Sequence, residues 1–178
     1  QIPSSEARVE CSVDLADNSL SRSDTLAQML QNLRETSLHV TTLRLYKNRY
    51  DDSAATALAD HICEAAAQHR PLMQLHVSNN CLTEAGVRLL IEAAHRSQGY
   101  PRSTNSPELK SLGQDSGRRA LWLRVENQDP PIARPQDLLD ECNSAGIPVC
   151  VLAEGSGHRL PAGAVVQIHP CFSKRLAT

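Results

Sequence analysis

Short apolar alternations punctuate the chain and recur in register. Val40-Thr-Thr-Leu43-Arg-Leu45-Tyr-Lys-Asn48 returns as Leu72-Met-Gln-Leu75-His-Val77-Ser-Asn-Asn80, with the two asparagines 32 residues apart. An earlier copy, Val13-Asp-Leu15-Ala-Asp-Asn18, sets Asn18 30 residues before Asn48, and a fourth, Leu123-Arg-Val125-Glu-Asn-Gln128, carries glutamine where the others carry asparagine. A period of two within each copy predicts a strand with one buried face. Between copies the period becomes helical. Leu26, Met29, Leu30 and Leu33 follow Ser23 or Asp24, and Leu58, Ile62, Cys63 and Ala66 follow Asp52 or Ser53. Val87, Leu90, Ile91 and Ala94 follow a Thr83 cap. A last helix is expected from Gln136 to Ala145: Pro135 precedes it, Leu138, Leu139 and Cys142 form its apolar side, and Gly146 stops it.

If the copies lie side by side as parallel strands, Leu43 and Leu45, or Leu75 and Val77, turn toward their own helix and the alternate residues turn away. The outward set is then Ser12, Asp14 and Ala16; Thr42, Arg44 and Tyr46; Gln74, His76 and Ser78; and Trp122, Arg124 and Glu126. Its middle row reads Asp14, Arg44, His76, Arg124, flanked by Tyr46 and Trp122. Neighbouring strands stand roughly 4.8 Å apart, so these side chains can act together on one partner. Exposed Tyr, Trp and Arg are the types that most often dominate interface energetics. A plain solvated face is the alternative. Asn18, Asn48 and Asn80 are expected to form a structural ladder, because an amide carries both donor and acceptor and can bond to its own turn and to an adjoining one. Exposed turn asparagines are the simpler account, but the matching position in three copies favours the ladder.

Two stretches break the pattern. Ser97 to Arg119, rich in Ser, Gly, Pro and charge, has Leu109 and Leu112 to bury and reads as an extended insertion closed by Arg118 and Arg119. It lengthens one interval to 48 residues, from Asn80 to Gln128. After the last helix, Ile147 to Leu152 and Ala164 to Ile168 predict a fifth and a sixth strand, joined by the turn-rich stretch Glu154 to Gly163. Because a stack of such units exposes an apolar layer at its end, the departing tail is expected to act as a cap. A phosphate-binding loop at Glu154 to Gly163 lacks both the lysine motif and a following helix.

The layout L-x-x-L-x-L-x-x-N-x-L with an intervening helix resembles the leucine-rich repeat, in the long variety similar to ribonuclease inhibitor, over roughly residues 9 to 153. The resemblance implies an α/β solenoid, a short horseshoe of parallel strands backed by helices, with about four repeats in 1–153 and an irregular C-terminal capping segment in 154–178. It implies a protein-binding scaffold and adds no catalytic residue. Leu121-Trp-Leu-Arg-Val-Glu-Asn is similar to the final repeats of leucine-rich proteins of dinoflagellate algae, which implies an accessory subunit of an organellar complex.

Composition narrows the rest. Only 3% of the 178 residues are aromatic, so leucine, valine, isoleucine and alanine must fill the core. A net charge of -2 supplies no general pull toward polyanions, which makes nucleic acid an unfavoured partner. No run approaches the roughly 18 apolar residues of a membrane span, and the start lacks a signal-peptide pattern. Because it begins with Gln1 rather than Met, the start is read as processed or truncated. Six irregularly spaced cysteines point to free thiols in a reducing compartment, cytoplasmic or organellar such as the chloroplast stroma. No Cys-x-x-Cys occurs, and His61 with Cys63 would diverge on a helix, so no metal site is expected. No nucleophile motif appears among the seven histidines and the many acids. The expectation is therefore a non-catalytic interaction or assembly scaffold without cofactor or small-molecule substrate. An RNA-associated accessory protein and a regulator of a small GTPase are the alternatives.

Overall fold

The computed structural model describes residues 9–103, 118–151, 161 and 163–172. Eight strands appear: β1 (Glu10–Asp14), β2 (His39–Arg44), β3 (Gln74–His76), β4 (Arg102–Ser103), β5 (Arg118–Arg119), β6 (Leu121–Arg124), β7 (Val149–Val151) and β8 (Val166–Ile168). Among the described residues four α-helices accompany them: α1 (Ser23–Glu35), α2 (Asp52–Ala67), α3 (Glu84–Arg96) and α4 (Pro135–Ser144). Six strands make one sheet in the order β1-β2-β3-β6-β8-β7, every neighbouring pair parallel. Parallel neighbours need a crossover rather than a tight turn, and α1, α2, α3 and α4 each lie in one such connection.

The alternation expected of the strands is present. Leu43, Leu45, Leu75, Val77, Leu123 and Val125 are buried in one core with helix residues such as Leu30, Leu58, Ile62, Leu90 and Leu138. At about 1.5–3 kcal/mol for each large aliphatic side chain removed from water, this layer is the main stabilising term. Helix α2 sits between α1 and α3, and its buried side carries Ala54, Ala55, Ala59, Ala65 and Ala66, small enough for close approach on both flanks. By contrast α1, with a helix on one flank only, fully buries just Leu26 and Leu30.

The turns after the strands repeat their backbone in detail. Asp17, Lys47, Asn79 and Asn127 all adopt left-handed conformation, at φ 59, 55, 54 and 56. Asn and Asp tolerate that region better than other non-glycine residues, and only Lys47 departs from the preference. After Lys47, Asn79 and Asn127 the next side chain is buried. Asn48 donates from Nδ2 to Leu45 O (2.9 Å) and to Leu15 O of the preceding turn (2.9 Å), while its Oδ1 accepts from Leu20 N (2.9 Å). Asn80 repeats this with Val77 O (3.0 Å), Leu45 O (2.9 Å) and Tyr50 N (3.0 Å). Gln128 does so with Val125 O (3.0 Å), Val77 O (2.9 Å) and Leu82 N (3.0 Å). Asn18 differs: its exposed side chain bonds only to Ala16 O, and its backbone N–H is received by Asn48 Oδ1. With β1 at the sheet edge, no earlier turn among the described residues stands within its reach.

Other differences from the sequence-based expectation have local causes. Helix α2 is capped by Asp51, whose carboxylate accepts from Ser53 N, because Asp52 is engaged elsewhere: its oxygens accept from Thr83 N (2.9 Å) and Thr83 Oγ1 (2.5 Å). Gly86 leaves room for that contact, since a methyl group there would run into Asp52 Oδ1 and lie 2.9 Å from its Cγ. The N-cap position of helix α1 is Arg22, which makes no side-chain cap bond, and Asp24 in the first turn pairs with Arg22 and accepts from Thr25 N (2.8 Å). The carbonyls at and beyond its C-terminal end are held from the next connection, where Arg70 donates to Arg34 O (2.6 Å), Thr36 O (2.7 Å) and Leu38 O (3.0 Å). The insertion is anchored at both ends: buried Tyr100 donates to Leu72 O (2.5 Å), and β4 pairs antiparallel with β5. Leu109 and Leu112 lie outside the described residues, as does most of the Glu154 to Gly163 connector. The two late strands join the sheet in reversed order, with β8 inserted between β6 and β7. The segment read as a terminal cap thus contributes an interior strand, and Phe172 packs behind it.

Candidate functional site

The outward residues of four strands meet in register on the face away from the helices. Asp14 pairs with Arg44, Arg44 with His76, and His76 with Arg124, so the row is continuous from β1 to β6. Thr42, Gln74 and Trp122 form the row before it, which β8 extends with Gln167 opposite Trp122. Beyond the strands the ladder runs on: Asp17 N donates to Tyr46 O (2.9 Å), Lys47 N to Ser78 O (3.0 Å) and Asn79 N to Glu126 O (3.0 Å). Tyr46, Ser78 and Glu126 consequently form a third row.

Three residues expected to stand open are buried. His76 is 8% exposed, Ser78 1% and Glu126 5%. Close strand spacing lets larger neighbours cover them. The Tyr46 ring stacks on the His76 imidazole, with centroids 4.4 Å apart and planes inclined at 25°. Arg124 turns back toward Glu126, donating from Nε (2.9 Å) and Nη2 (2.5 Å) to Oε1. Arg44 and Asp14 remain accessible at the β1 side, 3.6 Å apart. Trp122 is half-buried, yet its indole N–H is buried and has no acceptor among the described residues. Glu126 Oε2 is in the same condition.

Electrostatics follow from this crowding. Burial pushes the His76 imidazole down to about 4, helped by the Arg124 and Arg44 guanidinium groups and opposed by Glu126 and Asp14. His76 is therefore neutral at pH 7, and its Nε2 lies 2.5 Å from Ser78 Oγ. Ser78 as the partner of His76 escaped the sequence reading, which set His76 in the binding row and took both residues as facing outward rather than toward each other. Gln167 escaped it because strand order is not legible in a linear pattern. Among the described residues no group of three or more His, Cys, Asp or Glu is placed to hold a metal ion, and no helix is long and apolar enough to cross a membrane. All six cysteines are free thiols. Comparison with family models finds no match to this chain, and comparison with curated proteins finds none either.

Proposed function

We propose that this protein is a short leucine-rich-repeat array of the ribonuclease-inhibitor-like kind that works without catalysis, as an interaction or assembly module whose partner sits on the face of the sheet turned away from the described helices. The observation that carries the reading is the unbroken register of Asp14, Arg44, His76 and Arg124, with Tyr46 and Trp122 beside them. Parallel strands at uniform spacing turn residues far apart in sequence into one rigid array, in which aromatic side chains lose little entropy on binding and arginine supplies directed, charge-assisted hydrogen bonds. The repeated amide bonds of Asn48, Asn80 and Gln128 support the repeat assignment. The Ser78–His76 pair has the composition of a nucleophile and base, but a hydroxyl that is 1% exposed is not offered to a substrate, which favours a non-catalytic role. Free thiols fit assembly within a reducing compartment.

The test is capture from native extract, with mass spectrometry naming what is retained. Trp122→Ala combined with Arg44→Ala should abolish capture and leave the circular dichroism spectrum unchanged. Undiminished capture by that variant would move the interface off this face.

A further inference from the structure

The polar groups on the face turned away from the described helices are unequally spent. The Arg44 guanidinium donates no hydrogen bond among the described residues and only approaches Asp14 at 3.6 Å, while its side chain is 40% exposed. Arg124 commits Nε and Nη2 to a single oxygen of Glu126, which leaves Nη1 without an acceptor among the described residues, and its side chain is 31% exposed. The Tyr46 hydroxyl and the Trp122 indole N–H likewise have no partner among them. On the acceptor side, Glu126 is buried beneath Arg124, so Asp14 at the β1 edge is the exposed carboxylate of the three rows. The exposed charged groups from β2 to β6 in these rows are thus the two guanidinium groups, both donors. Burial, helped by the charge of the two arginines, keeps His76 neutral, so the positive charge of these rows comes from Arg44 and Arg124.

We infer that this face receives an acidic segment of a partner protein, its carboxylates taken by Arg44 and Arg124 and its apolar parts resting on Tyr46 and Trp122; the inference rests on the binding role proposed above. Guanidinium groups bind carboxylates through directed, charge-assisted hydrogen bonds. The two arginines sit two strands apart, roughly 10 Å at the usual strand spacing, which suits acidic side chains a few residues apart on one peptide. A nucleic acid backbone would need a longer basic track, and Asp14 and Asp17 close this one at the β1 end.

Trp122 is the only tryptophan in the chain, so its fluorescence reports occupancy directly. The intact protein is titrated with a hexaglutamate peptide, a hexalysine peptide, inorganic triphosphate and a short oligouridylate. Hexaglutamate should produce a saturable change in Trp122 emission, and hexalysine none. Arg44→Gln should weaken hexaglutamate about tenfold, the loss of roughly one charge-assisted hydrogen bond. Asp14→Asn, which frees Arg44 from its present neighbour, should strengthen it about threefold, a gain that a purely structural role for this edge would not produce. The inference is overturned by the absence of a saturable response to hexaglutamate, by an equal response to hexalysine, by tighter binding of triphosphate or oligouridylate, or by an Asp14→Asn protein that binds no better. If capture is lost in the Trp122→Ala and Arg44→Ala variant while hexaglutamate leaves Trp122 unchanged, the acidic-segment inference falls and the interface reading stands. If capture survives that variant, both fall.

Discussion

Replacing Asn80 by alanine tests the element on which the stacking depends. The side chain is 1% exposed and donates to Leu45 O at 2.9 Å and Val77 O at 3.0 Å, while Oδ1 accepts from Tyr50 N at 3.0 Å. Truncation leaves the buried Tyr50 N–H without a partner, at about 1–3 kcal/mol, whereas Leu45 O keeps its bond from Asn48 and Val77 O its bond from Gln128. The orphaned Tyr50 N–H together with two lost bonds to still-satisfied carbonyls, about 0.5–1.5 kcal/mol each, sets a loss of about 3 kcal/mol. For a chain of this size each kcal/mol lowers the melting temperature by roughly 2–4 °C, which places the expected drop at about 6–12 °C. Asn18→Ala is the internal control, because its exposed side chain bonds only to Ala16 O, and it should cost under about 0.5 kcal/mol. Thermal melts and urea titrations followed by circular dichroism read both variants. A melting temperature for Asn80→Ala within about a degree of the parent would refute the ladder as a stabilising device, and so would an equal loss in Asn18→Ala.

Two other outcomes follow from local geometry. Gly86→Ala should destabilise the protein by about 1–2 kcal/mol even though alanine favours helix by about 1 kcal/mol over glycine, because the new methyl displaces the Asp52 carboxylate from Thr83. Combined with Asp52→Ala the same change should become neutral or stabilising in chemical denaturation, and persistence of the full loss would show that the clash lies elsewhere. His61 supplies a pH test. Burial, with Arg34 and Arg70 nearby, lowers its imidazole from 6.5 to about 4. The unfolded chain takes up this proton before the folded protein does, so the stability contributed is complete above about pH 6.5, falls as the pH drops toward about 4, and is lost below that. Melting temperature should thus fall less steeply across this window in His61→Gln than in the parent, and identical slopes would show that His61 does not titrate as described.

Much of the fold was legible because strands and helices of this kind expose their period. Leu43, Leu45, Leu75 and Val77 announce which side of each strand is buried, and Pro135 and Gly146 bracket α4 within a residue of where it lies. The register of Asp14, Arg44, His76 and Arg124 was also legible, because equal copies laid in parallel align equivalent positions. Burial of His76, Ser78 and Glu126 was not. Alternation states which way a side chain points but carries nothing about whether a neighbour of the size of Tyr46 or Arg124 lies across it. The capping role of Asp51 was missed for a related reason: Asp52, the more obvious candidate, is drawn off by Thr83, 31 residues away.

The linear sequence determined the local events, namely where the chain extends, where it coils, and which amide follows each left-handed turn. These are decided by steric preference and hydrophobic period over a few residues, and both are written in neighbouring positions. Tertiary structure alone decided that β8 enters between β6 and β7, that Asn18 stands outside the ladder that Gln128 joins, and that Arg70 ties down the end of α1. Each of those outcomes depends on which surface is left uncovered after the other elements have packed, a quantity that exists only in three dimensions.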